Sequence, residues 1–294
     1  MIMRTSAYLI TVTLCVVVGW IIFRHNPQSL TEIRDPSDRM ILVTDGQLHS
    51  VPLEEIRRGC FGRDCIPSID EPMFVSAESA REIIAETAPG IGVDFNGTQR
   101  FYPFAMLVTR EIVNDVIDDT PIVVTYCPLC GTGIVFDRTL RGELLEFGVS
   151  GLLWQSNLLM YNRTTEEHNI SLWSQVLGEA VVGPDTGTRL TIIPSSITTL
   201  ADWETMHPTT MVLYTGSTHD PYSGDYYRVA RSFEPNFDEA QSPLAPTDYV
   251  YGIEVDGIFK AYPRATLPIG TTIDHIGATE VIIERDSIGG VTTN

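Results

Sequence analysis

Lysine occurs once in this chain of 294 residues, at Lys260, and Lys plus Arg together number 19 against 38 Asp and Glu. The resulting formal charge of −19 excludes a basic footprint for nucleic acid or for an anionic membrane surface. Such a deficit fits a protein adapted to high salt, where screening over about 3 Å at molar ionic strength removes self-repulsion. An ordinary acidic secreted protein has the same balance. The chain contains no nucleophile elbow, phosphate-cradling glycine loop or zincin pattern, which removes three large enzyme classes. Cysteine is scarce as well, at five residues, so each one needs a reason.

Long apolar runs are absent from all but one place. Residues Ser6 to Phe23 are uncharged and apolar all round, flanked by Arg4 and by Arg24 and His25. That length matches a helix crossing a hydrocarbon layer, and bulky residues in "GWIIFRHN" stand where a signal peptidase would need small ones. Residues 1–25 are therefore expected to be an uncleaved transmembrane signal anchor and 26–40, polar with two prolines, a tether. Residues 41–294 are expected to form a single β-rich domain on the extracytoplasmic side, in contact with the membrane only through the N-terminal helix. Sequons at Asn96, Asn162 and Asn169 matter only where glycosylation machinery exists.

The pattern of short alternating runs separated by Asn-Gly and Asp-Gly turns predicts an α+β fold that is predominantly β. Two helices stand out: one from Ser76 through Ile83, Ile84 and Thr87 to a stop at Pro89-Gly90, and one capped by Thr199 with Trp203 and Met206 facing inward and Pro208 ending it. "GVDFNGTQRFYPFAMLVTREIVNDVIDDTPIVV" aligns without gaps on "GIEVDGIFKAYPRATLPIGTTIDHIGATEVII" at a constant offset of 160 residues, from Gly92 and Gly252. This implies two related β-rich units, near 92–125 and 252–285, in one globular body. Residues 219–248, rich in prolines, acids and aromatics, read as a long ordered loop in which Asp220 and Asp225 are weak calcium candidates.

The segments "VVTYCPLCGTGIVFDR", "EIVND", "GVSGLLWQSNLLMYNR", "SLWSQVLGEAVVG" and "DGIFKAYP" resemble the family called domain of unknown function 3179, from about Leu42 to the C-terminus. The resemblance implies an exported or membrane-attached protein without a settled activity. It implies a position, here Cys130, at which some relatives carry selenocysteine. It also brings Asn157, Tyr161, Ser171, Trp173 and Gln175 forward as residues lining a pocket near the cysteine turn, beside Tyr126, Pro128 and Gly131. Arg110 stands where relatives lead one to expect histidine.

Cys127 and Cys130, separated by Pro128 and Leu129, can form a short disulfide that cycles between oxidised and reduced forms. A more acidic chalcogen at Cys130 fits exchange chemistry better than a passive staple. The leading expectation is thiol–disulfide redox activity with a protein or small-molecule thiol partner, Cys127 attacking and Cys130 resolving. The string C-P-L-C-G also has the form of a metal knuckle, so copper or zinc held by Cys127 and Cys130 is the alternative, and a stapling disulfide in an interaction protein is the third reading. Cys60 and Cys65 are expected to close a structural disulfide in an oxidising compartment. Asp137 and Arg138 are expected to pair at the strand end.

Overall fold

The computed structural model describes residues 33–34, 40–216, 244, 248–287 and 290–293. The N-terminal apolar run and the candidate calcium ligands Asp220 and Asp225 lie outside the described residues. Among the described residues no helix is long and apolar enough to cross a membrane.

The fold is predominantly β, with three short α-helices among the described residues. A central 4-stranded sheet runs Ile192–Ile193, Thr132–Asp137, Thr120–Cys127, Ile112–Ile117. Its strands are rich in β-branched residues, and alternate side chains enter different cores, as a period of two requires. Ile122, Val124 and Tyr126 pack with Ile91, Val93, Tyr102 and Leu213 of a 5-stranded sheet built around Pro89–Phe95 and Thr98–Pro103. Val123 and Cys127 point the other way, joining Phe147, Val149, Leu158, Met160 and Trp173 of an 8-stranded sheet. Because both faces of the middle sheet are covered, the strand carrying Cys127 is buried along its length from Ile122 onward.

Two hairpins after Pro89 recur later in the chain with the same registers. Val93 pairs with Arg100 as Ile253 pairs with Lys260, 160 residues on. Asp115 pairs with Ile122 as Asp274 pairs with Val281, 159 residues on. The gapless offset is thereby corrected: the second copy is one residue shorter between its hairpins, and Asp274 rather than His275 answers Asp115. The reason is chemical as well as geometric. Asp115 accepts hydrogen bonds from Arg100 and from Tyr102 Oη at 2.6 Å, and Asp274 accepts them from Lys260 Nζ at 2.6 Å and Tyr262 Oη at 3.0 Å. Both carboxylates lie between a cation and a tyrosine.

The helices are shorter than their apolar periodicity implies. Ser76 caps as expected, accepting from Ser79 N, but the helix spans only Ala77–Arg81. Ile83 and Ile84 still pack on the core from the following turn, because Pro89 already starts a strand and leaves no room for further helical turns. Thr199 caps Leu200–Met206 and Trp203 is buried, whereas Met206 is exposed. Trp203 fills the space a Cβ on Gly92 would take. Arg138 does not pair with Asp137. It is buried and donates to the carbonyls of Ile122 and Leu145 at 3.1 and 2.6 Å, while Asp137 accepts from Thr139 N.

Candidate functional site

The cysteine pair closes a hairpin. Cys127, the last residue of its strand, pairs with Thr132, the first of the next, so that Pro128 to Gly131 form the loop. Gly131 has φ +65° with open space where a Cβ would go, so backbone conformation rather than crowding selects glycine there. Cys127 is buried, Cys130 is exposed, and neither is in a disulfide.

A second hairpin end meets this loop. Trp154 pairs with Asn157 across a two-residue turn in which Gln155 and Ser156 both have positive φ, 48° and 60°. Two positive dihedrals match the twist of a type I′ hairpin, although neither residue is the Asn or Gly that reaches this conformation most easily. The turn delivers two groups to the sulfurs. The Ser156 carbonyl accepts from Cys127 Sγ at 3.7 Å, and Asn157 Nδ2 donates to Cys130 Sγ at 3.3 Å. Thr132 Oγ1 lies 3.0 Å from Cys130 Sγ and 2.7 Å from Gln175 Oε1. Gln175 is held in turn by Asn157 Nδ2 and, through its own Nε2, by Thr125 Oγ1 at 2.8 and 2.9 Å.

A hydroxyl has one proton, so Thr132 cannot donate to Cys130 and Gln175 together. A neutral Cys130 can donate its S–H to Thr132 while Thr132 donates to Gln175. An ionised Cys130 draws the Thr132 proton to itself. The network therefore supplies either protonation state with partners and favours the thiolate with donors from Cys127, Thr132 and Asn157. Those hydrogen bonds, that from Cys127 the largest, hold the Cys130 thiol down at about 6 against the opposing effect of burial. The same contact with Cys130, with burial and the charge of Cys130, pushes Cys127 well above the ordinary thiol range. This reverses the expected division of labour: Cys130 is the exposed, ionisable sulfur, and Cys127 is the buried thiol behind it.

Of the other expected lining residues, Asn157 and Gln175 touch the cysteine loop or its supports, and Pro128 and Gly131 form the loop itself. Tyr126 points into the opposite core, its ring stacked on Phe104 with centroids 4.1 Å apart. Tyr161 donates to Asp64 at 2.5 Å, Ser171 to Asp185 at 3.1 Å, and Trp173 to Asn162 at 3.1 Å. These three hydrogen-bond away from the sulfurs because strand alternation and distance along the sheet carry their polar ends elsewhere. Among the described residues no group of three or more His, Cys, Asp or Glu is placed to hold a metal ion, so the copper or zinc reading is left with the two cysteines alone.

Sequence reasoning missed Thr125, Thr132, Ser156 and Glu111. Glu111 precedes the strand Ile112–Ile117, opposite Tyr126, whose N–H donates to the Glu111 carbonyl at 2.8 Å. It adopts φ +60° and is half-buried. Burial, and after it the charge of Cys130, raises its carboxyl to about 7. The signal available was its place in "EIVND", where attention fell on the neighbouring Arg110.

Cys60 and Cys65 are disulfide-bonded, with Cα atoms 6.2 Å apart. Their loop lies on the strand Phe147–Trp154: Gly59 N and Cys60 N both donate to Gly151 O, and Asp64 N to Val149 O. Gly151, at φ +80° beside a register shift, has the Gly62 carbonyl 2.7 Å from where its Cβ would be. Only glycine admits the loop so close.

Comparison with curated proteins and with solved structures returned no match. The family model described as protein of unknown function (DUF3179) matches residues 63–292. That span holds the cysteine loop, its hydrogen-bond donors and Glu111, and the chain belongs to this family.

Proposed function

We propose that the protein carries out thiol–disulfide exchange through Cys130 and Cys127, on a body tethered to the membrane by the N-terminal apolar run and facing outside the cytoplasm. One observation carries this reading. An exposed cysteine not in a disulfide receives donors from Thr132, Asn157 and Cys127, and its thiol is held at about 6 without a helix N-terminus nearby. At neutral pH such a group is largely thiolate, the form that attacks disulfides.

In the oxidising direction for the protein, the Cys130 thiolate attacks one sulfur of a partner disulfide. A mixed disulfide forms, and the partner's other sulfur leaves as a thiolate that takes a proton from water. Cys127 then loses its proton and attacks Cys130, which yields the Cys127–Cys130 disulfide and releases the partner's second thiol. Two electrons pass from the protein to the partner, and the reverse sequence reduces the protein. The resemblance to relatives with selenocysteine at this position supports giving the attack to Cys130, since the more acidic atom belongs where the thiolate forms.

The test uses the full chain purified without chelator, with metal and free thiols counted together before redox titration. A reversible two-electron couple that disappears in Cys130→Ser, with a mixed disulfide that accumulates at Cys130 in Cys127→Ser, is the expected result. Stoichiometric metal lost in those variants, or a pair that cannot be reduced and reoxidised, overturns it.

A further inference from the structure

Resting on the exchange reading above, we propose that Glu111 is the proton carrier of the pair, taking the proton from Cys127 as it attacks and returning it to the departing thiol. The geometry is particular to this position. Exchange leaves one step without chemistry of its own: Cys127 is buried against Ser156 O and must be deprotonated to attack Cys130. Nothing in the loop accepts that proton, since Thr132, Asn157 and Gln175 are committed to one another and to Cys130.

Glu111 stands on the strand next to Cys127, opposite Tyr126, at the end of the sheet where the cysteine loop leaves it. Its carboxyl makes no hydrogen bond or ion pair among the described residues. Its backbone is left-handed, a conformation that costs a non-glycine residue about 1 kcal/mol or more and that gathers at functional positions. Left-handed backbone directs the side chain away from the path a β-residue would take. A carboxyl in that place has few structural tasks to perform.

The titratable groups acting on Glu111 are the two cysteines: Cys130 raises it through its charge, and Glu111 in turn raises Cys127. A carboxyl brought up to about 7 exchanges protons in both directions at neutral pH. When Cys130 enters the mixed disulfide its negative charge is gone and Glu111 ionises more readily, which is the state needed to accept the Cys127 proton. When the partner's last thiolate leaves, the protonated Glu111 supplies its proton, so the cycle returns the carboxyl to its starting form.

The experiment follows the reaction of the reduced full chain with an aromatic disulfide that releases a coloured thiolate, once on attack by Cys130 and again on attack by Cys127. In Glu111→Gln the first release is expected to keep its rate, while the second slows on the order of 100-fold and loses its pH inflection near neutrality. Glu111→Asp, which restores a carboxyl and tolerates a left-handed backbone, is expected to restore that inflection. If Glu111→Gln does not fold, Glu111→Asn, neutral and suited to that backbone, takes its place. A second release at the wild-type rate with the wild-type pH profile in the neutral variant overturns the proposal. No second release in the wild type means that exchange itself fails, a different result.

Discussion

A thiol ionises at neutral pH only if something donates to it, and Cys130 has three such contacts. Replacing Thr132 by Val or Asn157 by Leu removes one donor and keeps most of the volume. In each variant the pH at which Cys130 becomes half reactive toward iodoacetamide is expected to rise from about 6 toward the ordinary thiol value of about 8.5. The same depression couples folding to pH. A group whose folded value lies below its unfolded one adds stability above the unfolded value and loses it as pH falls through the folded one. The reduced protein is therefore expected to gain stability between about pH 7 and pH 8.5, relative to Cys130→Ser, in chemical unfolding at several pH values. Glu111, raised to about 7, acts in the opposite sense below neutrality, where its stabilisation is lost as pH climbs. The cysteine spacing and the Asn157 and Gln175 positions were legible in the sequence, because short-range spacing and motif membership are written there. The roles of Thr132, Ser156 and Glu111 were not. A threonine or glutamate acquires such a role only when folding sets it beside a sulfur from another strand, and the order of attack followed from burial.

At the scale of elements, turns decide where chemistry can sit. The Gln155–Ser156 turn holds two left-handed residues, and the Cys60–Cys65 loop lies over a left-handed Gly151. Closing six residues by a disulfide removes about 2 kcal/mol of unfolded-state freedom. Cys60→Ala with Cys65→Ala is expected to lower stability by about that much in urea unfolding, leaving the reactivity of Cys130 unchanged. Gly151→Ala is expected to cost more than removal of the disulfide, since its Cβ meets the Gly62 carbonyl and its dihedral is strained. The strands Phe147–Trp154 and Asn157–Asn162 were legible from alternation. The extent of the helix after Ser76 was not, because Ile83 and Ile84 are apolar for the sake of the core beneath them and the chain meets that demand from a turn. Met206 shows the converse: helical spacing placed it inward, yet Trp203 and Leu200 already fill the contact with the sheet.

At the scale of the molecule, charge dominates. With 38 acidic and 19 basic residues, self-repulsion is expected to ease as salt rises, so the thermal midpoint should increase between about 0.05 M and 1 M potassium chloride. A midpoint that falls or stays level removes the case for high-salt adaptation. The excess of acid was plain from composition, and so was the spacing of the repeated hairpins, but the one-residue change of offset needed the strand registers to reveal it. Those registers lead further. By the offset of the second hairpin, Asp286 stands where Cys127 stands in the first, and the pairing up to it is the same. The protein thus contains its own untreated control, a scaffold of the same weave that closes without sulfur. What the hairpins require of that position is a chain that can turn, so Cys127→Ala with Cys130→Ala should leave a folded, soluble and chemically mute molecule, and the cysteines should prove to be passengers of an architecture that can stand without them.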